Sequence, residues 1–360
     1  MMTMTIPIRP DPGRGLASSL PRIRIITTGG TIAGAGADST RPAYTAGVLQ
    51  ADDLIASVPA LGSLAHITLS SPFSKDSADL TESDWQALIQ AVCQAQNDAN
   101  VDGIVITHGT DTLEETAWLL HLVVPVGKAV VITGAMRPAT ALSPDGPMNL
   151  FNAVSVACSA QARGRGVLVV MNDTIFRANS IAKTHTTALQ AFSAGPCGPV
   201  GQVLVGQVRF CAIPVPGPLA GYFATSGALF SNPLPRVVVV YLHAGFLPEL
   251  LDAILALSRL AGIVLAGLGD GNIPDTAFGF LHQARSRNLP VVRGTRIGQA
   301  AVSADYNRLD SRFGLLCAGP LSPHQARILL ALALGSEPDG AKGPDERNRR
   351  LADLFGTFSQ

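Results

Sequence analysis

The sequence predicts an α/β protein in which a larger N-terminal domain, built on a doubly wound parallel sheet, is followed by a smaller C-terminal α/β domain. Two observations lead to this fold class. Short apolar runs alternate with segments in which apolar residues recur every three or four positions, which is the pattern of successive βαβ units. The alternation is interrupted by a Pro-, Gly- and Ser-rich segment at residues 213–235 and then resumes.

The N-terminal set contains five strand candidates and three helix candidates. Strands are predicted at residues 22–26, 65–69, 103–107, 129–133 and 166–170, and helices at 81–97, 111–124 and 147–161. Continuous runs of Val and Ile, as in the third and fourth candidates, are typical of strands that are buried on both faces of a sheet. Residues 200–210 predict a β-hairpin.

The C-terminal set repeats the same alternation. Strands are predicted at residues 236–242, 262–267 and 290–294, and helices at 248–260, 275–287, 323–334 and 344–355. We therefore divide the chain into a flexible leader (1–20), an N-terminal domain (21–212), a linker (213–235) and a C-terminal domain (236–360).

Composition argues against several classes of function. Lys plus Arg and Asp plus Glu both number 26, and no run of like charges suggests a nucleic acid or anionic membrane as partner. The five cysteines form no CxxC pair and the seven histidines form no HxxxH pair, so we expect neither a disulfide framework nor a metal site. The first twenty residues lack the apolar core of a secretory signal, and we expect a soluble, cytoplasmic protein.

Polar side chains follow several predicted strands at the point where each strand ends. They include Thr28 and Thr31 after the first strand, residues 74–79 after the second and residues 108–111 after the third, while Lys183 lies further along the chain. Because the carboxyl ends of parallel strands share one edge of a sheet, we expect hydroxyl, carboxylate and ammonium groups to meet there.

Each of these residues also allows a structural interpretation. Thr31 could be a turn residue or a helix cap, and Asp111 could cap the next helix with Glu114 completing a capping box. A phosphate-binding loop is excluded on detail, because Ala35-Gly36 stands where the Walker motif requires Lys and Ser or Thr. The remaining chemistry is nucleophilic: a threonine hydroxyl becomes reactive when a neighbouring base, such as a neutral lysine, takes its proton.

Two separated segments resemble the signature motifs of bacterial-type L-asparaginases. They are TGGTIAG at 28–34 and ITHGTDT at 106–112, the latter followed by EET at 114–116. The resemblance continues through GAMRP, DGP, NL, GVLVVMND and KT at 134–138, 145–147, 149–150, 166–173 and 183–184, and it extends from residue 22 to residue 335. It implies that the larger domain is flavodoxin-like.

The resemblance also implies roles for particular residues. Thr31 matches the primary nucleophile of the family, and Tyr44 matches a tyrosine in a mobile loop that closes over the site and hydrogen-bonds to the nucleophile. Thr110, Asp111 and Lys183 match a second constellation, in which the lysine and threonine activate a hydroxyl or the attacking water. Which threonine attacks first is left open by the family.

Substrate binding is implied at an overlapping set of positions. Ser77, Thr110 and Asp111 match residues that hold the substrate, with Ser77 and Asp111 at its α-carboxylate and α-ammonium, and Asn272 matches a residue that reaches the site of a neighbouring subunit. Two positions depart from the family. Ala78 stands where many members carry Gln or Glu, and Asn307 stands where an acidic residue is usual.

The function implied is hydrolysis of the side-chain amide of L-asparagine to L-aspartate and ammonia through an acyl-enzyme. The family needs no cofactor or metal, and it forms homotetramers built from two close dimers. Two alternatives remain: a glutaminase-asparaginase or other small-amide hydrolase, and an asparaginase-like subunit of an amidotransferase. The short segment before the first strand and the absence of a basic stripe argue against the amidotransferase subunit.

Overall fold

A computed structural model describes residues 20–36, 45, 47, 51–204, 206–211, 215–224, 233–298, 300–336 and 343–358. The leader expected at 1–20 lies outside the described residues except for Leu20. Within the proposed linker, residues 215–224 and 233–235 are described and contain neither helix nor strand.

Ten strands precede the linker and four follow it within the described residues. The first ten are β1 Arg22–Thr27, β2 His66–Ser70, β3 Gly103–Thr107, β4 Ala129–Thr133, β5 Val167–Met171, β6 Thr174–Arg177, β7 Ala182–Lys183, β8 Phe192–Ser193, β9 Gly201–Leu204 and β10 Gln207–Phe210. The last four are β11 Arg236–Tyr241, β12 Leu260–Gly267, β13 Val291–Thr295 and β14 Leu316–Cys317.

The helices cover the sheets and extend to the end of the described chain. They are α1 Ala51–Ala56, α2 Glu82–Asn97, α3 Leu113–Val123, α4 Gly146–Cys158, α5 Glu249–Leu255, α6 Phe278–Ser286, α7 Leu309–Phe313, α8 Pro323–Gly335 and α9 Gly343–Gly356. No helix within the described ranges is both long enough and apolar enough to cross a membrane.

The larger sheet has eight strands in the order β10-β9-β6-β5-β4-β3-β1-β2. Strands β1 to β5 are parallel, and β6, β9 and β10 add an antiparallel extension. The parallel part has the order 2-1-3-4-5 of flavodoxin-like sheets, in which the chain changes direction across the sheet between β1 and β3. Ligands of such folds bind in the crevice at that point.

Alternate residues of the central strands enter two separate cores. Ile104 and Ile106 of β3 pack with α2 and α3 on one face, whereas Val105 packs with α4 on the other. The sheet is therefore covered on both faces, which confirms the doubly wound fold predicted from the continuous apolar runs. A smaller sheet, in the order β11-β12-β13-β14, is parallel throughout and carries its own apolar core.

The main departure from the predicted strands is β6. Asn172 and Asp173 both have positive φ, and they turn the chain directly from β5 into an antiparallel partner. An Asn-Asp pair between two apolar runs is a hairpin signal that could have revealed this strand. The predicted hairpin at 200–210 is present as β9 and β10 and extends the same sheet.

Several predicted helices are shorter in the structure. The helix expected at 111–124 begins only at Leu113, because residues 108–112 form the turn after β3. The helix expected at 248–260 ends at Leu255, and residues 256–259, with Arg259 at φ 60°, turn the chain into β12.

Helices α3 and α8 pack against each other and join the two halves of the chain. The indole N–H of Trp118 on α3 donates to the carbonyl of Gln325 on α8 at 3.0 Å, and Trp118 is fully buried. Helix α8 also packs on β11 and β12, so it links α3 to the second sheet.

Candidate active site

The turn after β1 is pressed against the turn after β3. Gly30 has φ 79°, and a Cβ atom built on it would lie 2.4 Å from both Cα and N of Gly109. The backbone N–H of Thr28 donates to the carbonyl of Thr107 at 3.1 Å, so the two strand ends are also joined by a hydrogen bond. Thr31 follows at the start of a short 3-10 turn and is buried. The sheet thus presents Thr31 beside residues 108–111 at the switch point.

The loop after β2 closes the other side of the same turn. The carbonyl of Lys75 accepts a hydrogen bond from Gly30 N–H at 3.0 Å, and the N–H of Lys75 donates to the carbonyl of Thr28 at 3.0 Å. The ammonium of Lys75 lies 2.8 Å from both carboxylate oxygens of Asp84. Burial alone would raise the pKa of Asp84, but hydrogen bonds from Lys75 and Thr81 lower it below its ordinary value. This ion pair holds the loop against the start of α2.

Ser77 connects that loop to the turn after β3. Its side chain is buried, and its hydroxyl accepts a hydrogen bond from the backbone N–H of Asp111 at 3.2 Å. The hydroxyl of Thr112 donates to the carbonyl of Ser77 at 2.9 Å. Gly109 lies so close that a Cβ atom there would be 2.6 Å from Ser77 Oγ. Three loops therefore meet within hydrogen-bond distance of one another.

Lys183 brings an ammonium group to the same place. Its Nζ lies 2.9 Å from Thr110 Oγ1 and 2.6 Å from Asp111 Oδ1. The lysine side chain is 17% exposed and that of Asp111 is 60% exposed, so the carboxylate opens toward solvent while the ammonium lies behind it. An incoming cation can be paired by the carboxylate, and the ammonium and the Thr110 hydroxyl can exchange a proton.

His108 is the only titratable side chain in the turn after β3 besides Asp111. It is fully buried, and burial lowers its pKa to about 4 even though the carbonyl of Gly109 lies 2.7 Å from its Nδ1. The imidazole is therefore neutral at pH 7 and adds no charge to the site.

Of the seven predicted site residues, five lie at this edge of the sheet, one lies elsewhere and one is outside the described residues. The five are Thr31, Ser77, Thr110, Asp111 and Lys183. Tyr44 lies outside the described residues. Asn272 lies beyond β12 of the smaller sheet, where its Oδ1 accepts from Asn307 Nδ2 at 3.1 Å. Within the described part of the chain, no hydrogen bond joins Asn272 to the five residues.

A buried arginine holds the segments that carry Asn272 and Asn307. Arg293 is fully buried and pairs with both carboxylate oxygens of Asp310, at 2.6 and 2.7 Å. It also donates to the carbonyls of Asp270 at 3.0 Å and Ser303 at 2.7 Å. Burial lowers the pKa of the guanidinium, but Asp310 raises it overall, so it stays charged. One side chain thus joins the loop before Asn272 to the loop before Asn307.

The capping interpretation of Asp111 and Glu114 is wrong. The N-cap residue of α3 is Thr112, and the carboxylate of Asp111 binds Lys183 instead. Glu114 accepts a hydrogen bond from the backbone N–H of Lys183 at 2.6 Å and one from His324 Nε2 at 2.9 Å. Sequence reasoning missed these last contacts, because His324 lies far from the motifs along the chain and follows no recognisable spacing.

Two family models match the chain. Residues 22–215 match the family model described as Asparaginase, N-terminal, and residues 236–343 match the Glutaminase/Asparaginase C-terminal domain. The chain belongs to the asparaginase family. Its members are hydrolases of amides, and both family domains are present here, one after the other.

Individual members of the asparaginase family resemble the chain over most of its length. It is 38% identical over 330 residues to L-asparaginase 2 of Escherichia coli (strain K12), covering 90% of this chain and 92% of that protein. It is 40% identical over 323 residues to a probable periplasmic L-asparaginase of Haemophilus influenzae, covering 90% and 91%. The crystal structure of a probable cytoplasmic L-asparaginase from Campylobacter jejuni superposes with a TM-score of 0.85 at 34% identity, covering 94% of this chain and 100% of that one.

The contact between Gly30 and Gly109 leads to a stability prediction. We expect Gly30→Ala to lower the free energy of unfolding by at least about 3 kcal/mol, because it combines a positive φ with a backbone clash. Gly164→Ala is the matched control, since Gly164 has φ 72° and a Cβ added there would meet no atom within 4 Å, and it should cost only about 1–2 kcal/mol. Urea unfolding of both variants measures the loss of unfolding free energy in each. Equal losses would contradict a close contact between the turns.

Proposed function

We propose that the protein is an L-asparaginase that hydrolyses the side-chain amide of L-asparagine to L-aspartate and ammonia. The observation that carries the proposal is the Lys183 ammonium between Thr110 Oγ1, at 2.9 Å, and Asp111 Oδ1, at 2.6 Å, at the switch point of the sheet. Membership in the asparaginase family gives amide hydrolysis as the reaction class. The relatives bear the names of L-asparaginases.

In the proposed reaction Thr31 is the nucleophile. Its hydroxyl oxygen attacks the amide carbon, the C–N bond breaks, and the nitrogen leaves as ammonia after taking a proton. Water then attacks the resulting ester, releases aspartate and restores the Thr31 hydroxyl. The glycines beside Thr31 let backbone N–H groups approach the oxyanion that develops on the amide oxygen.

Thr110 and Lys183 act as the proton relay. In its neutral form the Lys183 amine takes a proton from the Thr110 hydroxyl while Thr110 takes the proton of the attacking group, which is the Thr31 hydroxyl in the first step and water in the second. The proton is then passed to the leaving nitrogen in the first step and to the Thr31 oxygen in the second. Tyr44 is proposed to cover Thr31 when its loop closes.

Ser77 and Asp111 bind the two charged groups of the amino acid. The exposed carboxylate of Asp111 pairs with the α-ammonium, and Ser77 Oγ donates to the α-carboxylate. Ala78 follows Ser77 and is exposed, so a methyl group occupies the place of the longer polar side chain found in many members. We propose that glutamine is a poorer substrate than asparagine, and a mixed glutaminase-asparaginase is the alternative.

Asn272 is proposed to complete the site of a neighbouring subunit in a homotetramer made of two close dimers. Its distance along the chain from the five clustered residues, and its position beyond β12, support this arrangement. Light scattering on the purified protein would show about four times the monomer mass of 37.3 kDa, and a monomer with full activity would contradict it.

We also propose a cytoplasmic location, which fractionation of cells would test.

Ammonia release from asparagine and glutamine, with EDTA present, tests the proposed reaction. We expect Thr31→Ala to lower kcat by about 10³-fold or more, because the nucleophile is removed. Thr31→Ser is the matched control, since it keeps a hydroxyl group and should retain far more activity. Mass mapping of a trapped acyl-enzyme should place the adduct on Thr31. An adduct on Thr110 instead would reverse the roles of the two threonines.

Replacement of the lysine tests the proton relay. We expect Lys183→Met to lower kcat by about 10²- to 10⁴-fold, because general acid-base assistance is lost, while the far-ultraviolet circular dichroism stays unchanged.

Lys128→Met provides the matched control for that variant. Lys128 also donates two hydrogen bonds through Nζ, to the carbonyls of Ala95 at 2.9 Å and Asp98 at 2.6 Å, but it lies at the opposite end of the strands. The Lys128→Met variant should have a lower free energy of unfolding and an unchanged kcat. An equal loss of kcat in both variants would mean that Lys183 acts only through folding.

A further inference from the structure

Glu114 ties the segment of Lys183 to the second half of the chain. Its Oε2 accepts the backbone N–H of Lys183 at 2.6 Å, and its Oε1 accepts from Nε2 of His324 at 2.9 Å. The carboxylate side chain is only 13% exposed. Three elements, α3, β7 and α8, therefore meet at one buried group.

The backbone of Lys183 has few other anchors. Strand β7 is two residues long, pairs only with the equally short β8, and lies in the irregular segment 178–200 between two strands of the large sheet. The N–H of Lys183 is satisfied by a side chain, whereas the next residue, Thr184, donates to the carbonyl of Ala191 at 2.7 Å. The position of the ammonium relative to Thr110 thus depends strongly on Glu114.

His324 is in turn well placed to hold Glu114. It is the second residue of α8, a helix whose start is fixed by a capping box between Ser322 and Gln325 and by the hydrogen bond from Trp118. A carboxylate can only accept hydrogen bonds, so the Nε2 atom that faces it must carry a proton. The imidazole side chain is 33% exposed and can exchange its second proton with solvent.

We propose that His324 is a positioning residue for the reaction: through Glu114 it holds the main chain of Lys183 so that the ammonium stays within hydrogen-bond distance of Thr110. The proposal rests on the role assigned to Lys183 under the proposed function. His324 itself touches neither Thr110 nor Lys183 Nζ in any hydrogen bond of the described residues. We call the linked groups His324, Glu114 and Lys183 N–H the interdomain clamp.

The clamp is expected to respond to pH because charged groups surround His324. Glu114 and Glu115 face it from α3, Arg327 lies one turn along α8, and Tyr241 on β11 lies near both glutamates. Burial alone would lower the pKa of His324, but the hydrogen bond and charge of Glu114, with help from Glu115, outweigh burial and Arg327 and raise it above 6.5.

The direction of the pH effect follows from that raised pKa. A histidine whose pKa is higher in the folded protein stabilises the fold fully at pH values below its unfolded pKa. This stabilisation is lost as the pH rises through its folded pKa. The interdomain clamp is therefore tightest at pH values below the unfolded pKa of histidine. It loosens as the pH rises above the folded pKa of His324, when the hydrogen bond to Glu114 comes from a neutral imidazole and no longer from an imidazolium.

Kinetics of His324 variants test the clamp. We expect His324→Ala to lower kcat for asparagine about tenfold near neutral pH, the usual size of effect for a lost hydrogen bond to a charged group, with KM changed less than about twofold. His324→Gln keeps an N–H donor for Glu114 and should recover most of kcat. It should also lack the modest decline in kcat that we expect of the wild-type protein as its histidine deprotonates. Wild-type kcat in His324→Ala, or an unchanged pH profile in His324→Gln, would overturn the proposal.

Arg327→Gln is the matched control. Arg327 Nη2 pairs with Glu115 Oε2 at 3.2 Å, so the variant removes an ion pair between the same two helices without touching Lys183. It should keep the kcat of the wild type, and its pH profile should keep the same shape with the midpoint moved upward, because Arg327 lowers the pKa of His324. A loss equal to that of His324→Ala would show that both residues only dock the helices, which overturns a specific role in placing Lys183.

A second readout separates this proposal from the proposed function. The short bond to a carboxylate should move the backbone amide proton of Lys183 strongly downfield in an NMR spectrum, and His324→Ala should move it back while His324→Gln should not. If the wild-type protein releases no ammonia, the proposed function fails and the amide shift still decides whether the clamp exists. If the protein is active and the Lys183 amide does not move in His324→Ala, the clamp alone fails.

Discussion

The close approach of two backbone turns is the constraint on which the site depends. Where the chain order of the sheet reverses, β1 and β3 end side by side, and Gly30 lies against Gly109 with no space for a side chain on either. The absence of side chains is what lets the loop of Lys75 and Ser77 pack over both turns, through backbone hydrogen bonds to the first turn and a bond from the N–H of Asp111 to Ser77 Oγ at the second. Hydroxyl groups can then be crowded together without leaving buried backbone groups unpaired.

A second requirement is that a cation be held inside this polar crevice. Lys183 approaches from outside the ladder of the large sheet, in a short ribbon whose geometry the sheet does not determine. Asp111 compensates its charge on the solvent side and Glu114 fixes its main chain on the inner side. The strand ends thus provide a rigid half of the site, and an irregular segment, tied by carboxylates, provides the other half.

Periodicity was sufficient to predict the central strands and the helices between them, because strands buried on both faces must be apolar throughout. It could not reveal β6, whose partner is set by a two-residue turn, or the early end of α5, which is followed by a turn that contains the left-handed Arg259. The five clustered site residues followed from strand ends and the signature motifs. Glu114 was noticed for its spacing but given the wrong partner, and nothing in the local sequence of His324 marks it. Contacts between residues far apart in sequence depend on how the two halves pack, which local patterns do not encode.

The packing of α8 on α3 has a consequence for how the molecule can be divided. Two family domains follow one another along the chain, which suggests that the first could be separated as a minimal catalytic module. Yet Trp118 would lose the carbonyl that accepts its N–H, and Glu114 and Glu115 would lose His324 and Arg327 together. An isolated first domain would keep every residue of its signature motifs and still expose a buried indole and two uncompensated carboxylates. The boundary in sequence is therefore not a boundary in architecture, and any truncation, circular permutation or domain exchange has to carry α8 along.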